Sequence, residues 1–499
     1  MMGNILITKR SINFDFKQAH NANFMIQQYI YFYGRNTVII GLLALFLVKE
    51  AKAQDSLNMQ LVYHWNDTTI TPEVYYGSRF NEIWGMAVNG REYAVMGSTE
   101  GMHVFDVTDP ANASQVVYHA GIGSPQFIIH RDFKTYGQYL YEVSDEDPIG
   151  LRIYDMQYLP DSMPVVYSSD TLFRTSHNIF IDENSGRLYV CNEQLVGGAF
   201  YPMGVYSLAN PLNPQFEFSL TGISHAHDVY VRNDTAYVNA GNDGLWVVDY
   251  SGVTPQILNT LTTYAEQGYN HSGWLSDDGN TYVFADETHG KRMKIMDVTD
   301  INNWSIVSLI GSGVDSNSIP HNQMIRGNLL FSSYYYDGPR VFDISDPANP
   351  QQVAWYDTYK FPNTGSYQGN WGVYCLLPSG RILASDMQSG LFVLELDSSV
   401  FVGTEKTASL QLEAVTLWPN PSTDLINMSL NLPHHTTLRV DLYTVDGRWV
   451  KALFENTNME QGAQQLQFNL GEDLPVGTYF IKGYSPDLGS FVKTLIKSK

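Results

Sequence analysis

The sequence predicts an all-β protein in which a seven-bladed β-propeller, closed by an N-terminal strand, is followed by a small C-terminal β-sandwich. Three observations support this prediction. A V-x-D strand motif recurs seven times with a mean spacing of about 48 residues, which is typical of four-stranded propeller blades. Each copy lies in the same order of short apolar strands and Gly, Asn, Asp or Pro turns. Helical periodicity is nearly absent.

The recurring motif is predicted to be a strand with its turn. Its copies occupy residues 103–107, 152–156, 204–208, 246–250, 294–298, 340–344 and 392–396. The phrase VFDVTDPANA (104–113) returns almost unchanged as VFDISDPANP (341–350), with proline at the second turn position, where its fixed φ fits. The acids of this strand are expected to bond turn backbone and not to catalyse a reaction. They are Asp106, Asp155, Asp249, Asp297 and Asp343.

The N-terminal segment, residues 1–53, is predicted to be a cleaved signal peptide. The apolar run at 37–48 follows Arg35 and precedes the small-residue site Ala51-Lys52-Ala53, which is the order of a secretory signal. We expect the mature chain to start at Gln54 and to contain no transmembrane segment. The charged region before the apolar run is long, and initiation near Met25 is an alternative.

The propeller is expected to span residues 55–400. Its seventh copy ends near residue 397 without a fourth strand, whereas MQLVYHWND (59–67) resembles the fourth strand of the sixth copy, QQVAWYDTY. We therefore predict that a strand at about residues 58–66 completes the last blade. Such closure hides two strand edges that could pair with other chains.

A linker is predicted at 401–411 and a separate β domain at 412–499. That domain resembles the C-terminal sorting domain of the type IX secretion system. The resemblance rests on Pro419-Asn420-Pro421-Ser422, LYTVDGRWV, LPVGTYFIK and the terminal VKTLIKSK. It implies the type IX machinery as a partner, and a protein that is secreted or held at the cell surface after the domain is removed or exchanged for an anchor.

The body of the chain, from about residue 60 to 400, resembles the choice-of-anchor B family of LVIVD-repeat propellers. The matching segments are RDFKTYGQYLYEVSD (131–145), SHNIFIDENSGRLYV (176–190), YNHSGWLSDDG (269–279), PHNQMIRGNLL (320–330), VFDISDPANP (341–350) and ASDMQSGLFVLELD (384–397). The resemblance implies the propeller fold. Because the biochemical activity of that family is largely undefined, it implies no reaction.

Composition narrows the classes of partner. A net charge of −22 repels nucleic acid and anionic lipid. Two cysteines allow one disulfide at most, and both Cys191 and Cys375 lie in apolar strand-like runs. We expect them to be small buried residues and neither a metal pair nor a nucleophile.

Histidines recur where the first strands of four consecutive copies begin. Because antiparallel strands turn at alternate ends, these starts share one face of the ring with the loops between second and third strands. Imidazoles near carboxylates can bind zinc or another divalent metal ion. The predicted metal ligands are His177, His227, His271 and His321.

Acidic, amide and aromatic residues accompany the histidines on this face. They suggest a site for a polar ligand, with an extracellular protein, peptide or glycan as partner. The candidate ligand-binding residues are Glu82, Asp132, Asn178, Asp228, Asp286, Glu287, Trp274 and Trp371.

Four alternatives remain open at the sequence level. The first is that the repeated histidines only brace neighbouring loops. The second is a non-catalytic binding module, and the third is a structural scaffold. The fourth is a metal-assisted hydrolase or lyase acting on an extracellular polymer, in which Asp286, Glu287 and His271 form an acid–base group. The sequence contains no G-x-S-x-G, P-loop, H-E-x-x-H or dinucleotide motif, which favours a non-catalytic role.

Overall fold

The computed structural model describes residues 55–363, 365–397, 400, 415–432, 435–444, 449–471, 474–485 and 489–498. The predicted signal peptide (1–53) and linker (401–411) lie outside these residues. Within them the protein is all-β and propeller-like, with many four-stranded antiparallel sheets.

The described strands of the body form seven sheets; five are built from consecutive strands, and the last two each add one strand from the N-terminal end. Two strands precede them, β1 (Ser56–Leu57) and β2 (Met59–Trp65). Sheet 1 contains β3 (Phe80–Val88), β4 (Arg91–Ser98), β5 (Gly101–Asp106) and β6 (Ser114–Ala120). Sheet 2 contains β7 (Arg131–Tyr136), β8 (Tyr139–Ser144), β9 (Leu151–Asp155) and β10 (Val165–Ser169). Sheet 3 contains β11 (Asn178–Asp182), β12 (Arg187–Gln194), β13 (Phe200–Ser207) and β14 (Gln215–Leu220).

The remaining four sheets continue the same order. Sheet 4 contains β15 (Asp228–Arg232), β16 (Thr235–Asn239), β17 (Leu245–Asp249) and β18 (Gln256–Leu261). Sheet 5 contains β19 (Asn270–Leu275), β20 (Thr281–Asp286), β21 (Met293–Asp297) and β22 (Ser305–Ile310). Sheet 6 contains β23 (Pro320–Arg326), β24 (Leu329–Tyr334), β25 (Arg340–Asp343), β26 (Gln351–Tyr356) and the short β1. Sheet 7 contains β27 (Asn370–Tyr374), β28 (Ile382–Asp386), β29 (Gly390–Leu396) and β2.

The first strands of the seven sheets face one another. Each contacts the first strand of the next sheet, and β27 contacts β3. Apolar side chains fill the space between neighbouring sheets, as where Val95 and Val104 of sheet 1 share a buried cluster with Phe133 and Tyr154 of sheet 2. The polar residues at the starts of the first strands therefore lie around a common central space.

Sheet 7 takes its fourth strand from the N-terminal end of the body. β2 pairs antiparallel with β29, with Leu61 opposite Leu394 and Trp65 opposite Leu391. His64 Nε2 also lies 2.8 Å from the carbonyl oxygen of Ser389. The pairing is the one expected from the likeness between residues 59–67 and the fourth strand of the sixth copy.

The acids of the repeated motif have the structural role that the sequence predicts. The seven copies lie on the third strands of the seven sheets. Each of the five acids accepts a hydrogen bond from the backbone N–H two residues later, at 2.8 to 3.0 Å. The following turns also match, since Asp109 and Asp346 both accept from the backbone N–H two residues later. The acids of the repeated phrase therefore hold the turn that follows each third strand.

The C-terminal residues form two further sheets around one apolar core. One contains β30 (Thr416–Trp418), β31 (Leu425–Leu432) and β34 (Gly462–Asn469). The other contains β32 (Thr436–Thr444), β33 (Trp449–Met459), β35 (Gly477–Ser485) and β36 (Gly489–Lys497). Met428 and Phe468 of the first sheet pack in one cluster with Val440 and Ile481 of the second. This is the arrangement of a small β-sandwich.

Both cysteines are buried, as predicted, and neither forms a disulfide. Among the described residues, no helix is long and apolar enough to span a lipid bilayer.

Deletion of residues 55–68 is predicted to abolish cooperative melting or to cause aggregation. The deletion removes β1 and β2 and exposes the edge of β29, whose unpaired N–H and C=O groups can then pair with another chain. Circular dichroism melting and size-exclusion chromatography would measure the effect. The control is His64→Ala, which loses a side-chain contact but keeps the strand. An unchanged melting profile of the deletion variant would contradict the importance of this pairing.

Candidate functional site

Two cavities lie one after the other in the space enclosed by the first strands. We call the wider one, of about 300 Å³, the histidine cavity. We call the narrower one, of about 40 Å³, the carboxylate chamber. The histidine cavity is lined by Tyr76, Ile129, His130, His177, His227, His271, Glu287, His321, Tyr335, Tyr367, Trp371 and Met387. The polar residues that line the carboxylate chamber are Glu82, Asp132, Lys134, Asn178, Asp228, Ser272, Asn322 and Gln323.

The predicted site residues divide between these two cavities. The four predicted histidines line the histidine cavity together with Glu287 and Trp371. Glu82, Asp132, Asn178, Asp228 and Trp274 line the carboxylate chamber. Asp286 lines neither of them. The structure thus brings the four histidines together but separates them from most of the predicted carboxylates.

Local backbone irregularities position three of the aromatic side chains. The pairing of the first strand with the second is interrupted by a bulge at Asn270/Ser272, at Pro320/Gln323 and at Asn370/Gly372. His271, His321 and Trp371 lie within these bulges, the second of which also contains Asn322. A bulge re-aims a side chain, which explains how residues at strand ends come to face the cavity.

Five histidines and one tryptophan form a closed ring of side chains. The distances between the centroids of neighbouring rings are 4.0 to 5.2 Å in the order His130, His177, His227, His271, His321, Trp371 and back to His130. Five of the seven sheets therefore each contribute a histidine to one small space.

Three of these histidines have partners that fix their orientation. Nδ1 of His177 lies 2.9 Å from Asp145 Oδ2, and Nδ1 of His130 lies 2.5 Å from Glu146 Oε1. Nδ1 of His321 lies 2.5 Å from the carbonyl oxygen of Trp371. These contacts are of the kind that the bracing hypothesis requires, and two of them join neighbouring sheets.

The other two histidines differ. Nδ1 of His227 and Nδ1 of His271 are shielded from solvent and have no hydrogen-bond partner among the residues that the structure describes. The residues are 8% and 3% exposed. A buried polar atom without a partner costs about 1–3 kcal/mol. Bracing alone does not account for these two side chains.

The electrostatic environment keeps most of the ring neutral. Burial lowers the pKa of His227 and of His271 well below that of an ordinary histidine, and the neighbouring imidazoles lower it further. Burial also lowers the pKa of His321 to about 3. His130 is the exception, because Glu146 outweighs burial and raises the pKa of its imidazole. At neutral pH, His227, His271 and His321 therefore have lone pairs available to a ligand.

Glu287 is the carboxyl group that lines the histidine cavity. The hydroxyl of Tyr335 donates to its Oε1 at 2.5 Å, and its Oε2 lies 3.7 Å from Nε2 of His271. Burial raises the pKa of Glu287 to about 7, although the bond from Tyr335 opposes the shift. The group can therefore gain or lose a proton near neutral pH.

The carboxylate chamber offers little space or unpaired charge to a ligand. Lys134 Nζ donates to both oxygens of Asp132 at 2.7 and 3.0 Å. Burial and the charge of Asp132 raise the pKa of Glu82 to about 8, and burial raises the pKa of Asp228 to about 7. Since a water molecule needs at least about 10–15 Å³ of such space, the chamber holds only a few waters. The histidine cavity is the larger candidate for ligand binding.

Asp286 has a structural role instead of a place in either cavity. It forms an ion pair with Lys294 and accepts a hydrogen bond from the hydroxyl of Tyr264 at 2.7 Å. The side chains of Asp286 and Lys294 are fully buried. The structure therefore separates Asp286 from the acid–base group in which the sequence placed it beside Glu287 and His271.

Sequence reasoning missed several lining residues of the two cavities, among them His130, Tyr76, Tyr367 and Lys134. His130 was missed because Arg131, aligned there with the other strand starts, points away and pairs with Glu142 and Asp147. The sequence signal was the triplet His130-Arg131-Asp132. Its histidine lies two residues before the residue that lines the carboxylate chamber, whereas His177 and His227 lie one residue before theirs. Tyr76, Tyr367 and Lys134 follow no repeated pattern, and nothing in their spacing indicated the site.

Comparison with known proteins bears on the C-terminal part. Residues 416–498 match the family described as "Secretion system C-terminal sorting domain". This segment is a type IX secretion C-terminal sorting domain. This domain implies export through the type IX machinery and a secreted or cell-surface location.

The chain is also similar to solved structures of low sequence identity. "Structure of U3-55K" is 10% identical with a TM-score of 0.48, and covers 68% of this chain and 98% of its own. A structural-genomics protein from Lactobacillus plantarum is 13% identical with a TM-score of 0.46, and covers 78% of this chain and 99% of its own. No curated protein matches the chain.

Replacement of Lys294 by alanine is predicted to destabilise the protein by about 3–5 kcal/mol, because it leaves the charge of Asp286 buried without its partner. The double variant Asp286→Asn/Lys294→Met buries no charge and keeps an acceptor for Tyr264, so it should recover much of the loss. Chemical denaturation measures both free energies of unfolding. Equal stability of Lys294→Ala and the unaltered protein would argue against the buried pair.

Proposed function

We propose that this exported protein is a non-catalytic ligand-binding module whose ligand site is the histidine cavity. The observation that carries the proposal is a cavity of about 300 Å³ in which two buried imidazoles have unpartnered nitrogens. Ligand pockets commonly have volumes of this order, with a few polar groups among aromatic walls. A cavity of this size fits an extracellular small molecule or a small part of a peptide or glycan.

We propose further that the seven sheets are the blades of a seven-bladed β-propeller closed by β2. Two observations support this: the first strands of all seven sheets contribute residues to the carboxylate chamber, and β2 supplies the fourth strand of sheet 7. The same repeats support membership of the body in the choice-of-anchor B family of LVIVD-repeat propellers. In such a ring the histidine cavity opens at one mouth of the central channel.

The test of the binding function compares the unaltered protein with the double variant His227→Ala/His271→Ala. Both are purified from the culture medium without chelators and examined by native mass spectrometry and crystallography. We expect the unaltered protein to carry a bound non-protein group in the cavity, and the folded double variant to lack it.

Two outcomes would count against the binding proposal. The first is a cavity that contains only water in the unaltered protein. The second is the same bound group in both proteins, because the ligand site would then lie elsewhere. Loss of folding in the double variant would support the bracing role of the histidines.

A metal-assisted hydrolase or lyase is the second candidate function. The observation that favours it is Glu287, whose pKa of about 7 suits proton transfer and whose Oε2 lies 3.7 Å from His271. In this alternative, Glu287 is the acid–base group and a divalent metal ion is the cofactor.

The variant Glu287→Gln distinguishes the two candidates. If the protein is an enzyme, it should cleave a polysaccharide or peptide from a panel of soluble polymers. The variant should then lose about 10²–10⁴-fold in kcat with an unchanged melting temperature. Saturable binding without turnover, in both proteins, would reject the enzyme.

A further inference from the structure

We propose that His227, His271 and Glu287 bind a divalent first-row transition-metal ion, such as Zn²⁺, in the wall of the histidine cavity. The inference rests on the proposed function, because it names the ligand class of the same cavity. The three side chains offer two nitrogen donors and one oxygen donor, and these atoms all lie within 4.8 Å of one another.

One pair of donor atoms needs little adjustment to accept an ion. Nε2 of His271 and Oε2 of Glu287 are 3.7 Å apart, and the ring centroids of His227 and His271 are 4.0 Å apart. In a tetrahedral zinc site with bonds of about 2.0–2.1 Å, two donor atoms are about 3.3–3.4 Å apart. A shift of a few tenths of an ångström brings the pair to this separation.

The unpartnered nitrogens show that hydrogen bonds through Nδ1 do not hold these two imidazoles in place. Nδ1 of His227 and Nδ1 of His271 are both buried without a hydrogen-bond partner among the described residues. A neutral imidazole has one N–H and one lone pair, and each is stabilised by a partner when it is removed from water. A metal ion on the opposite nitrogen, which for His271 is the Nε2 that faces Glu287, would hold the ring instead, and Nδ1 would then carry the N–H.

The charge state of the donors also suits a metal ion. Burial and the adjacent imidazoles hold the pKa of both histidines low, so neither must lose a proton at neutral pH. Glu287 supplies the negative charge that a divalent ion requires. The bond from Tyr335 to its Oε1 leaves Oε2 on the side of His271. Such outer contacts orient metal ligands in known sites.

The donor set selects the class of metal. Two imidazoles and one carboxylate suit Zn²⁺ or Fe²⁺, whereas Ca²⁺ and Mg²⁺ prefer oxygen donors alone. Three protein ligands leave at least one coordination position open towards the cavity. A second group, His130, Asp145 and His177, is less suitable because its carboxylate already partners Nδ1 of His177.

The test is zinc titration of the full secreted chain, purified without a polyhistidine tag and freed of metal with a chelator. Isothermal titration calorimetry should show one zinc ion per chain in the unaltered protein. Since outer-contact changes alone cost roughly 10–100-fold in metal affinity, His271→Ala should lose more than about 100-fold and Glu287→Gln at least about tenfold. The control is His225→Ala, which removes a half-buried histidine whose Nδ1 bonds to Asn192 outside the cavity lining and should leave the affinity unchanged.

Co²⁺ provides a spectroscopic measurement of the same site. Four-coordinate Co²⁺ absorbs strongly in the visible region, and this absorption should be present in the unaltered protein and in His225→Ala and absent from His271→Ala. If His271→Ala does not fold, Glu287→Gln carries the test, because it preserves the size of the side chain.

Two results would overturn the inference. The first is no saturable zinc binding up to about 1 mM, which corresponds to negligible affinity. The second is zinc binding of equal strength in all four proteins. A metal-free protein that still carries a cavity ligand would reject the metal site and leave the binding function intact, whereas absence of both zinc and any cavity ligand would reject both.

Discussion

The register of the first strands is the constraint on which the central site depends. Successive residues of a strand are about 3.3 Å apart, so a shift of one residue carries a side chain from one level of the central space to the next. His177 lines the histidine cavity and Asn178 the carboxylate chamber, and His227 and Asp228 divide in the same way. The backbone pairing of first with second strands therefore fixes which chemistry meets at each level.

The two levels also differ in how they accommodate charge. The chamber contains a lysine paired with one carboxylate and two further carboxyl groups whose pKa values are raised. The histidine level instead contains three imidazoles, those of His227, His271 and His321, whose pKa values are lowered by burial. Protonation of such a cluster is energetically unfavourable, since each added positive charge would face the next imidazole. Its available chemistry is lone-pair donation.

Much of the fold and part of the site could be predicted from the sequence, because both follow from repetition. Equivalent positions in successive copies predict the order of strands and turns and the turn-capping acids such as Asp106. They also predict that His177 and His321 line one cavity. The remainder depends on single departures from the repeat. Arg131 displaces His130 by one position, and Lys294 draws Asp286 into an ion pair while the adjacent Glu287 faces the cavity. Side-chain partners of this kind leave no periodic trace in a sequence.

The pairing of β2 with β29 has a consequence for the order of assembly. It joins segments as distant as His64 and Ser389, which are 325 residues apart in the chain. Loop-closure entropy grows only slowly with such a separation, but contacts between distant segments slow folding. During synthesis, β2 emerges early but has no pairing partner until β29 of sheet 7 has also emerged. Completion of sheet 7 is therefore a late event, and the two ends of the body reach their native state together.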